Sequence, residues 1–474
     1  MRKNIFSAVL EGRLLEDVEA IFKKLTQNFL FNIYSISNDI DVFIAFETMN
    51  NRGKPLSLLE LLKNRLIYLT TKFQIEEYKR DALRKKINEC WKSIYHNLGK
   101  NKVIALDDDT FLSNHFTLYF GSELILTDEK RGIRRLRSFR YRLTQMSDFL
   151  LERKFSIKRV RAEELPLTIS EINAYVESLQ GYVEIWFNIN NPLRSDWGEE
   201  EINWLEKVSR LGFEGFSPLL LVLFKKCKTA KNRILILKNL ERILFGSTLL
   251  NYYELRIRVS DYGILAVDYY NGKLTESELI KELDGYVKII YNDHAITAKI
   301  IKTFKKMNFY NWPGLKYFLY EYEQFLRSKT KTNSRKLDWR EFSKEYEDFI
   351  TVEHIYPQAP KSDCWLTHFK KHTPKQCNVL KNSLGNLVPL SKPKNSSLRN
   401  NCFQDKLGNM ENLVGYRYGS FSEIEIAQYP EWTPETILHR TLTLISFMEK
   451  NWDLNFGPQD RKIEMLGLEF VMTS

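Results

Sequence analysis

The chain has 474 residues, 43% of them hydrophobic, so it can bury more than one core and is not a disordered tail protein. Lysine and arginine (71) outnumber aspartate and glutamate (60), which gives a net charge of +11 and a pI near 9.1. This balance suits a polyanionic partner such as nucleic acid. The longest apolar run, Pro218 to Phe224, is too short to cross a membrane, so no membrane association is expected.

The cysteines give no sign of a disulfide framework or a zinc ribbon. They number five, they include no Cys-x-x-Cys pair, and they are Cys90, Cys227, Cys364, Cys377 and Cys402. The N-terminal apolar stretch is interrupted by charges and is too short for a signal peptide. We therefore expect free thiols in a reducing cytoplasm.

Residues 1–72 show helical periodicity around a polar break. Asn51, Arg52 and Gly53 lie in this break, where they would either contact a nucleotide or form a turn that prepares the next helix. The turn is the favoured interpretation. Ser57, with Glu60 three residues later, predicts an N-cap and a capping box.

Residues 73–340 predict a helical domain, because prolines are rare and apolar residues recur at intervals of three and four. Its densest basic stretch contains Arg134, Arg137 and Tyr141 at helical spacing. That face would either follow a DNA backbone or be an ordinary solvated surface. A polar, basic segment from Arg327 to Arg340 is the predicted linker to a third domain, 341–474, in which Gly, Pro and Asn become denser.

The third domain contains three short stretches suited to phosphodiester cleavage, which needs an activated water and a cation that neutralises the transition state. The first, TVEHIYPQAP, places Glu353 beside His354 in a strand stopped by Pro357. Neighbouring strand residues face opposite ways, so these two share a site only where the strand ends or bulges. The second, LGNLVPL, holds Asn386 in a predicted strand, and Asn395 follows nine residues later near a helix start.

The motifs follow one another in the order Glu-His-Ile-x-Pro, Leu-Gly-Asn-Leu and an Asn-rich helix start with Phe403 and Lys406 behind it. This order resembles the C-terminal nuclease domain of GmrSD-type modification-dependent restriction enzymes. The spacing of Asn386 and Asn395 is also similar to that in the His-Asn-His (HNH) domain of CRISPR effector nucleases. The resemblance implies a ββα-metal fold, in which two short strands, a loop and a helix hold one cation. The expected fold class is mainly α with a small α+β part.

The resemblance implies a role for each matching residue. His354 matches the general base, Glu353 the acidic metal ligand, Asn395 the second ligand, and Asn386 the residue that fixes the loop. Oxygen donors of this kind imply Mg²⁺ or Mn²⁺. Asn400 is an alternative ligand. The residues expected to meet phosphate or DNA are Lys392, Lys394, Arg399, Asn400 and Lys406.

The segment AFETMNNRGKPLSLLELLKN, residues 45–64, resembles the later part of the ParB-like N-terminal domain of the same family. The Asp-Gly-Gln-Gln-Arg element that family members carry upstream, linked to nucleotide hydrolysis, is absent from the sequence. We therefore expect a partial N-terminal domain.

The resemblance implies an endonuclease that restricts foreign, modified DNA in anti-phage defence. Three alternatives stay open: a non-cleaving DNA-binding or regulatory module, one subunit of a complex whose NTPase or sensor is a separate protein, and a decayed gene fragment. A single histidine such as His354 is usually structural, so the prediction rests on the order of the three stretches.

Overall fold

A computed structural model describes residues 14–29, 56–101, 105–128, 133–136, 143–250, 259–331, 334–343, 350–409 and 413–472. These ranges are mainly helical with small antiparallel strand pairs, so the expectation of a mainly α fold with a small β part is confirmed. None of the helices within them is long and apolar enough to span a bilayer.

The α-helices follow in chain order. They are α1 (Leu15–Lys23), α2 (Leu58–Thr70), α3 (Glu77–Leu98), α4 (Asp108–Tyr119), α5 (Gly121–Leu124), α6 (Leu143–Ser147), α7 (Ile157–Val160), α8 (Ile169–Asn190), α9 (Glu199–Leu211), α10 (Ser217–Lys226), α11 (Ala230–Leu249), α12 (Val259–Tyr270), α13 (Glu276–Asn292), α14 (His294–Phe304), α15 (Leu315–Ser328), α16 (Trp339–Ser343), α17 (Asp363–Phe369), α18 (Pro374–Lys381), α19 (Lys392–Leu398), α20 (Phe403–Leu407), α21 (Phe421–Ile426), α22 (Pro434–Trp452) and α23 (Gln459–Leu466).

In the described ranges the strands form two antiparallel pairs, and short 3₁₀ and π turns join several elements. The pairs are β1 (Ile125–Asp128) with β2 (Ile133–Leu136) and β3 (Ile350–His354) with β4 (Leu387–Ser391). The 3₁₀ turns are Pro192–Arg194, Glu214–Phe216, Phe309–Asn311, Leu384–Asn386, Tyr416–Tyr418 and Glu469–Val471, and the π turns are Lys24–Asn28 and Asp148–Lys154.

The chain packs into two compact units. One comprises residues 1–84 and 150–167, and the other comprises residues 85–149 and 168–474. Most of the two regions predicted as separate domains, 73–340 and 341–474, thus lies in the second unit. The division into 1–72, 73–340 and 341–474 stays a prediction.

Helix α2 shows how local sequence sets structure in the first unit. The Ser57 hydroxyl accepts a hydrogen bond from Glu60 N, and the Glu60 carboxylate accepts one from Ser57 N, so the predicted capping box is confirmed. One face of the helix is buried at Leu59, Leu62 and Leu66. Asn51, Arg52 and Gly53, the predicted nucleotide-contact or turn residues, lie outside the described residues.

A buried carboxylate joins three helices of the second unit. Glu241 of α11 accepts hydrogen bonds from the Tyr317 hydroxyl of α15, at 2.6 Å, and from Trp452 Nε1 of α22, at 2.9 Å. Burial raises the pKa of Glu241. The Phe245 ring stacks on Trp452 with centroids 3.7 Å apart. The helices on either side of the predicted linker therefore share one core.

A second buried carboxylate fixes the start of α21. Glu323 of α15 accepts from Phe421 N, from Ser422 N and from the Ser422 hydroxyl, at 2.6 to 2.8 Å. Backbone N–H groups at a helix start have no partner within the helix, so a carboxylate placed there satisfies them.

The β3–β4 pair rests on α22 through a glycine. A Cβ at Gly385, just before β4, would lie 2.4 Å from Ile437 O and 2.4 Å from Thr441 Oγ1. Arg440 of α22 is fully buried and donates to Gly385 O and Leu387 O. This close approach positions the strand that faces the candidate site.

Two further expectations need correction. Arg134 lies in β2, opposite Thr127, so it does not belong to the predicted basic helix; Arg137 and Tyr141 lie outside the described residues. Cys364 and Cys402 form a disulfide with a 2.01 Å S–S distance, so the expectation of five free thiols is wrong. These cysteines are 38 residues apart, and tertiary packing alone brings them together.

Candidate active site

Strand β3 presents Glu353 and His354 at its end. Their backbones pair with Val388 and Leu387 of β4, and β3 stops at His354. Both side chains are buried. Both residues line one cavity at the end of this strand, and their shared catalytic role stays a prediction.

The Glu353 carboxylate is held by a buried lysine. Lys406 Nζ, on α20, lies 2.9 Å from Glu353 Oε1 and has no solvent exposure. Burial raises the pKa of Glu353, although the Lys406 ammonium and Asn395 act in the opposite direction. Burial likewise lowers the pKa of Lys406 against the effect of Glu353. The Glu353 carboxylate is thus paired with a cation of the protein itself, the Lys406 ammonium.

His354 lies between an amide and an aromatic ring. Its Nδ1 is 3.3 Å from Gln358 Nε2, and its ring centroid is 4.4 Å from that of Tyr310. Nε2 is buried and has no hydrogen-bond partner in the described part of the chain. Burial lowers the pKa of His354 to about 4, with an opposing contribution from Asn382. The imidazole is therefore neutral near pH 7.

Asn386 is fully buried and forms side-chain hydrogen bonds to the loop that follows His354. Its Oδ1 accepts from Tyr356 N (2.7 Å) and Trp432 Nε1 (3.0 Å), while its Nδ2 donates to Tyr356 O (3.0 Å) and Lys381 O (2.9 Å). Its own backbone carbonyl accepts from Ile355 N. Asn386 ends the 3₁₀ turn Leu384–Asn386 instead of lying within the predicted strand, because β4 begins at Leu387.

The predicted catalytic and metal-binding side chains other than Asn386 surround one cavity of about 470 Å³. Helix α19 contributes Asn395, and the segment after it contributes Asn400, so both alternatives for the second ligand remain at the cavity. The lining residues used below are Tyr310, Glu353, His354, Gln358, Lys392, Asn395, Arg399 and Asn400.

The predicted phosphate contacts divide into two groups. Lys392, Arg399 and Asn400 line the cavity and are exposed. Lys394 instead forms an ion pair with Glu423, and Lys406 is buried against Glu353, His354 O and Ile355 O. Burial removes the Lys406 ammonium from contact with any phosphate in solvent, so that expectation is corrected.

The oxygen donors at the cavity fit a hard cation. Asn395 Nδ2 donates to Thr351 Oγ1 at 2.9 Å, which leaves its Oδ1 for a ligand beside the Glu353 carboxylate. Mg²⁺ is typically held by one or two carboxylates and keeps several waters. No group of three or more His, Cys, Asp or Glu side chains with metal-binding geometry occurs among the described residues.

Sequence reasoning missed two residues of this site. Tyr310 comes from a 3₁₀ turn in the region predicted as the helical domain, and Phe309 N in that turn donates to Asn382 O. No local pattern marks a residue 44 positions before His354 as its neighbour. Gln358 lies four residues after His354, inside the TVEHIYPQAP segment, so its position in the sequence could have indicated that it neighbours His354.

Comparison with known protein families identifies a similarity in the C-terminal part of the chain. Residues 294–447 match the family model described as "GmrSD restriction endonucleases, C-terminal domain". No curated protein and no solved structure matches significantly. The match includes Tyr310, Glu353, His354, Asn386 and Asn395, and it supports a nuclease of the restriction-endonuclease class with DNA as its substrate.

Proposed function

We propose that the chain is a metal-dependent DNA endonuclease of the HNH type that restricts foreign, modified DNA. The observation that carries this proposal is the meeting of Glu353, His354 and Asn395 at one cavity, within the region that matches restriction endonucleases. In this proposal the paired strands β3 and β4, with α17 and α18 between them in the chain, and the following α19 would form the ββα-metal site.

Glu353 and Asn395 are the residues that would hold Mg²⁺ or Mn²⁺. One carboxylate and one amide oxygen are hard donors that leave room for water and for a DNA phosphate. The bound cation would neutralise charge that develops on the phosphate in the transition state.

His354 is the proposed general base. With its pKa lowered to about 4, the imidazole has a lone pair to take a proton from an attacking water at any physiological pH. A buried ring nitrogen without a protein partner is also where an unseen water or substrate atom is expected. With Gln358 Nε2 facing Nδ1, the ring proton would lie on Nε2; a Gln358 amide turned to present Oε1 would place the proton on Nδ1 and leave the Nε2 lone pair for the water.

Asn386 acts as a positioning residue in this proposal, because its four side-chain hydrogen bonds fix the loop directly after the base. Lys392, Arg399 and Asn400 would bind the DNA backbone at the cavity mouth. Arg399 has a φ of +38°, a backbone conformation rare for a residue with a side chain, and such strain is concentrated at functional sites.

A cleavage assay on plasmid and modified phage DNA with Mg²⁺ or Mn²⁺ tests the proposal. We expect H354A to cut at least about 100-fold more slowly, because a general base contributes that much or more. E353Q and N395A should weaken metal binding as well. H439A is the matched control, since His439 is exposed and lies away from the cavity.

Equal cleavage by wild type and H354A would overturn the proposal. DNA binding without cleavage under any metal condition would instead favour the non-cleaving DNA-binding module.

A further inference from the structure

A second cavity, of about 710 Å³, lies in the second compact unit and shares no lining residue with the candidate active site. Its walls come from the turn after α8, from α9, from α15 and from the segment that leads into α16. Its volume is within the range of small-molecule sites.

Two exposed arginines give this cavity its anion-binding character. Arg335 has no ion pair or hydrogen bond within the described part of the chain, and Arg194 donates a single bond, 3.3 Å long, to Lys100 O. A guanidinium presents a planar fork of donors that matches a phosphate.

The carboxylates that line the cavity already have partners. Glu206 is paired with Arg210 at 3.0 Å, and Asp338 Oδ1 accepts from Arg340 N at 2.7 Å in the first turn of α16. Neither side chain forms an ion pair with Arg194 or Arg335 among the described residues.

One wall offers an aromatic surface in a fixed orientation. Trp339 is half-buried and packs edge-on against Tyr320 and Phe342, with ring centroids 5.3 and 6.0 Å away. The Arg210 guanidinium lies over the Tyr320 ring, 4.6 Å from its centroid, and is nearly buried. Because its neighbours hold it, Trp339 can stack on a planar ligand at little entropic cost.

The cavity lining also includes two oriented amides. Asn190 Nδ2 donates to Trp186 O at 2.8 Å, and Asn191 Nδ2 donates to Phe187 O at 2.9 Å. These bonds leave the Oδ1 atoms as the groups available to a ligand. An amide oxygen accepts from an exocyclic amine or a ring N–H.

We propose that this cavity binds a nucleoside phosphate, with the base on Trp339 and hydrogen-bonded to the two asparagines and the phosphate on Arg335 and Arg194. An apolar ligand would leave the polar walls unpaired, and inorganic phosphate would leave the aromatic and amide walls unused. The same chemistry is carried by a free nucleotide and by a nucleotide turned out of a DNA strand. This inference goes beyond the proposed nuclease site and does not depend on it.

The test is calorimetric titration of the full chain with AMP, with ATP and with a short single-stranded oligonucleotide, in EDTA so that no metal is bound at the other cavity. We expect saturable binding that R335A weakens about tenfold, which corresponds to about 1.4 kcal/mol. R461A is the matched control, because Arg461 is exposed on α23 and lines neither cavity. R335A removes an exposed side chain, so its thermal midpoint should equal that of wild type.

Arg335-dependent binding of the mononucleotides identifies a free nucleotide as the ligand, and Arg335-dependent binding of the oligonucleotide alone identifies a nucleotide within DNA. Absence of binding by all three probes overturns the inference, and so does binding that R335A and R461A affect equally. H354A should bind the probes as wild type does, so a failed nuclease proposal would leave this result unchanged.

Discussion

Lys406 Nζ donates to Glu353 Oε1 across 2.9 Å at a position with no solvent exposure, although the two residues are 53 positions apart. The same ammonium lies 3.1 Å from Ile355 O and 3.5 Å from His354 O. One buried lysine therefore holds both the proposed metal ligand and the backbone of the proposed base.

Removing Lys406 should destabilise the fold strongly. K406M leaves the Glu353 carboxylate buried without its cationic partner, and breaking a buried pair from one side costs about 3–5 kcal/mol. Urea unfolding measures the change in the free energy of unfolding. K392A, which removes an exposed lysine at the same cavity, should stay within about 0.5 kcal/mol of wild type. The double variant K406M/E353Q should recover part of the loss, and strict additivity would contradict the coupling.

The free energy of unfolding should decrease as the pH is lowered, and His354 should account for part of this decrease. Its pKa is about 4 in the fold and near 6.5 when unfolded, so between these values the unfolded state binds more protons and the free energy of unfolding decreases as pH falls. Buried His115, whose pKa is lowered to about 3, contributes with the same sign. From pH 7 to pH 5, metal-free H354Q should lose about 2 kcal/mol less than wild type. A gap between the two proteins that stays constant with pH would refute this, and exposed H439Q should follow wild type.

Tyr310 should keep the His354 pKa low. Its ring covers the imidazole at 4.4 Å, and burial is the main cause of the lowered pKa. We expect Y310A to raise the His354 pKa toward 6.5, as measured by NMR titration of the imidazole, while Y310F leaves it near 4. Equal titration in Y310A and wild type would show that other groups shield the ring.

Gly385 and Gly285 should respond to alanine with opposite signs. G385A would place a methyl group 2.4 Å from Ile437 O, so it should cost about 1–3 kcal/mol or more. Gly285, inside α13, has open space around its Cβ position, so G285A should gain about 0.5–1 kcal/mol from the helix propensity of alanine. Thermal unfolding of both variants checks the pair, and similar shifts would contradict the close approach of β4 to α22.

The disulfide should protect two of the five cysteines. Alkylation of the denatured protein without reductant should label Cys90, Cys227 and Cys377, and labelling of all five should require reduction. Replacing Cys402 by Ser should cost about 2–4 kcal/mol, because the bond closes a long loop in the unfolded chain. Labelling of all five thiols before reduction would contradict the bond.

Features encoded by neighbouring residues were predictable from the sequence. The capping box at Ser57 and a strand that ends before Pro357 both follow from side-chain and turn preferences over a few positions. The order of Glu353, His354, Asn386 and Asn395 likewise pointed to a common site. Errors arose where short-range preference was ambiguous, as at Arg134, which lies in a strand.

Tertiary structure alone decided which distant groups meet. Lys406 became the partner of Glu353 instead of a phosphate contact, Tyr310 became a neighbour of His354, and Cys364 joined Cys402. Local conformational preference extends over a few residues, whereas these contacts depend on how helices bury their apolar faces against one another. The amino-acid order therefore specified the chemical groups and the local turns, and packing specified which groups are buried, paired or left facing a cavity.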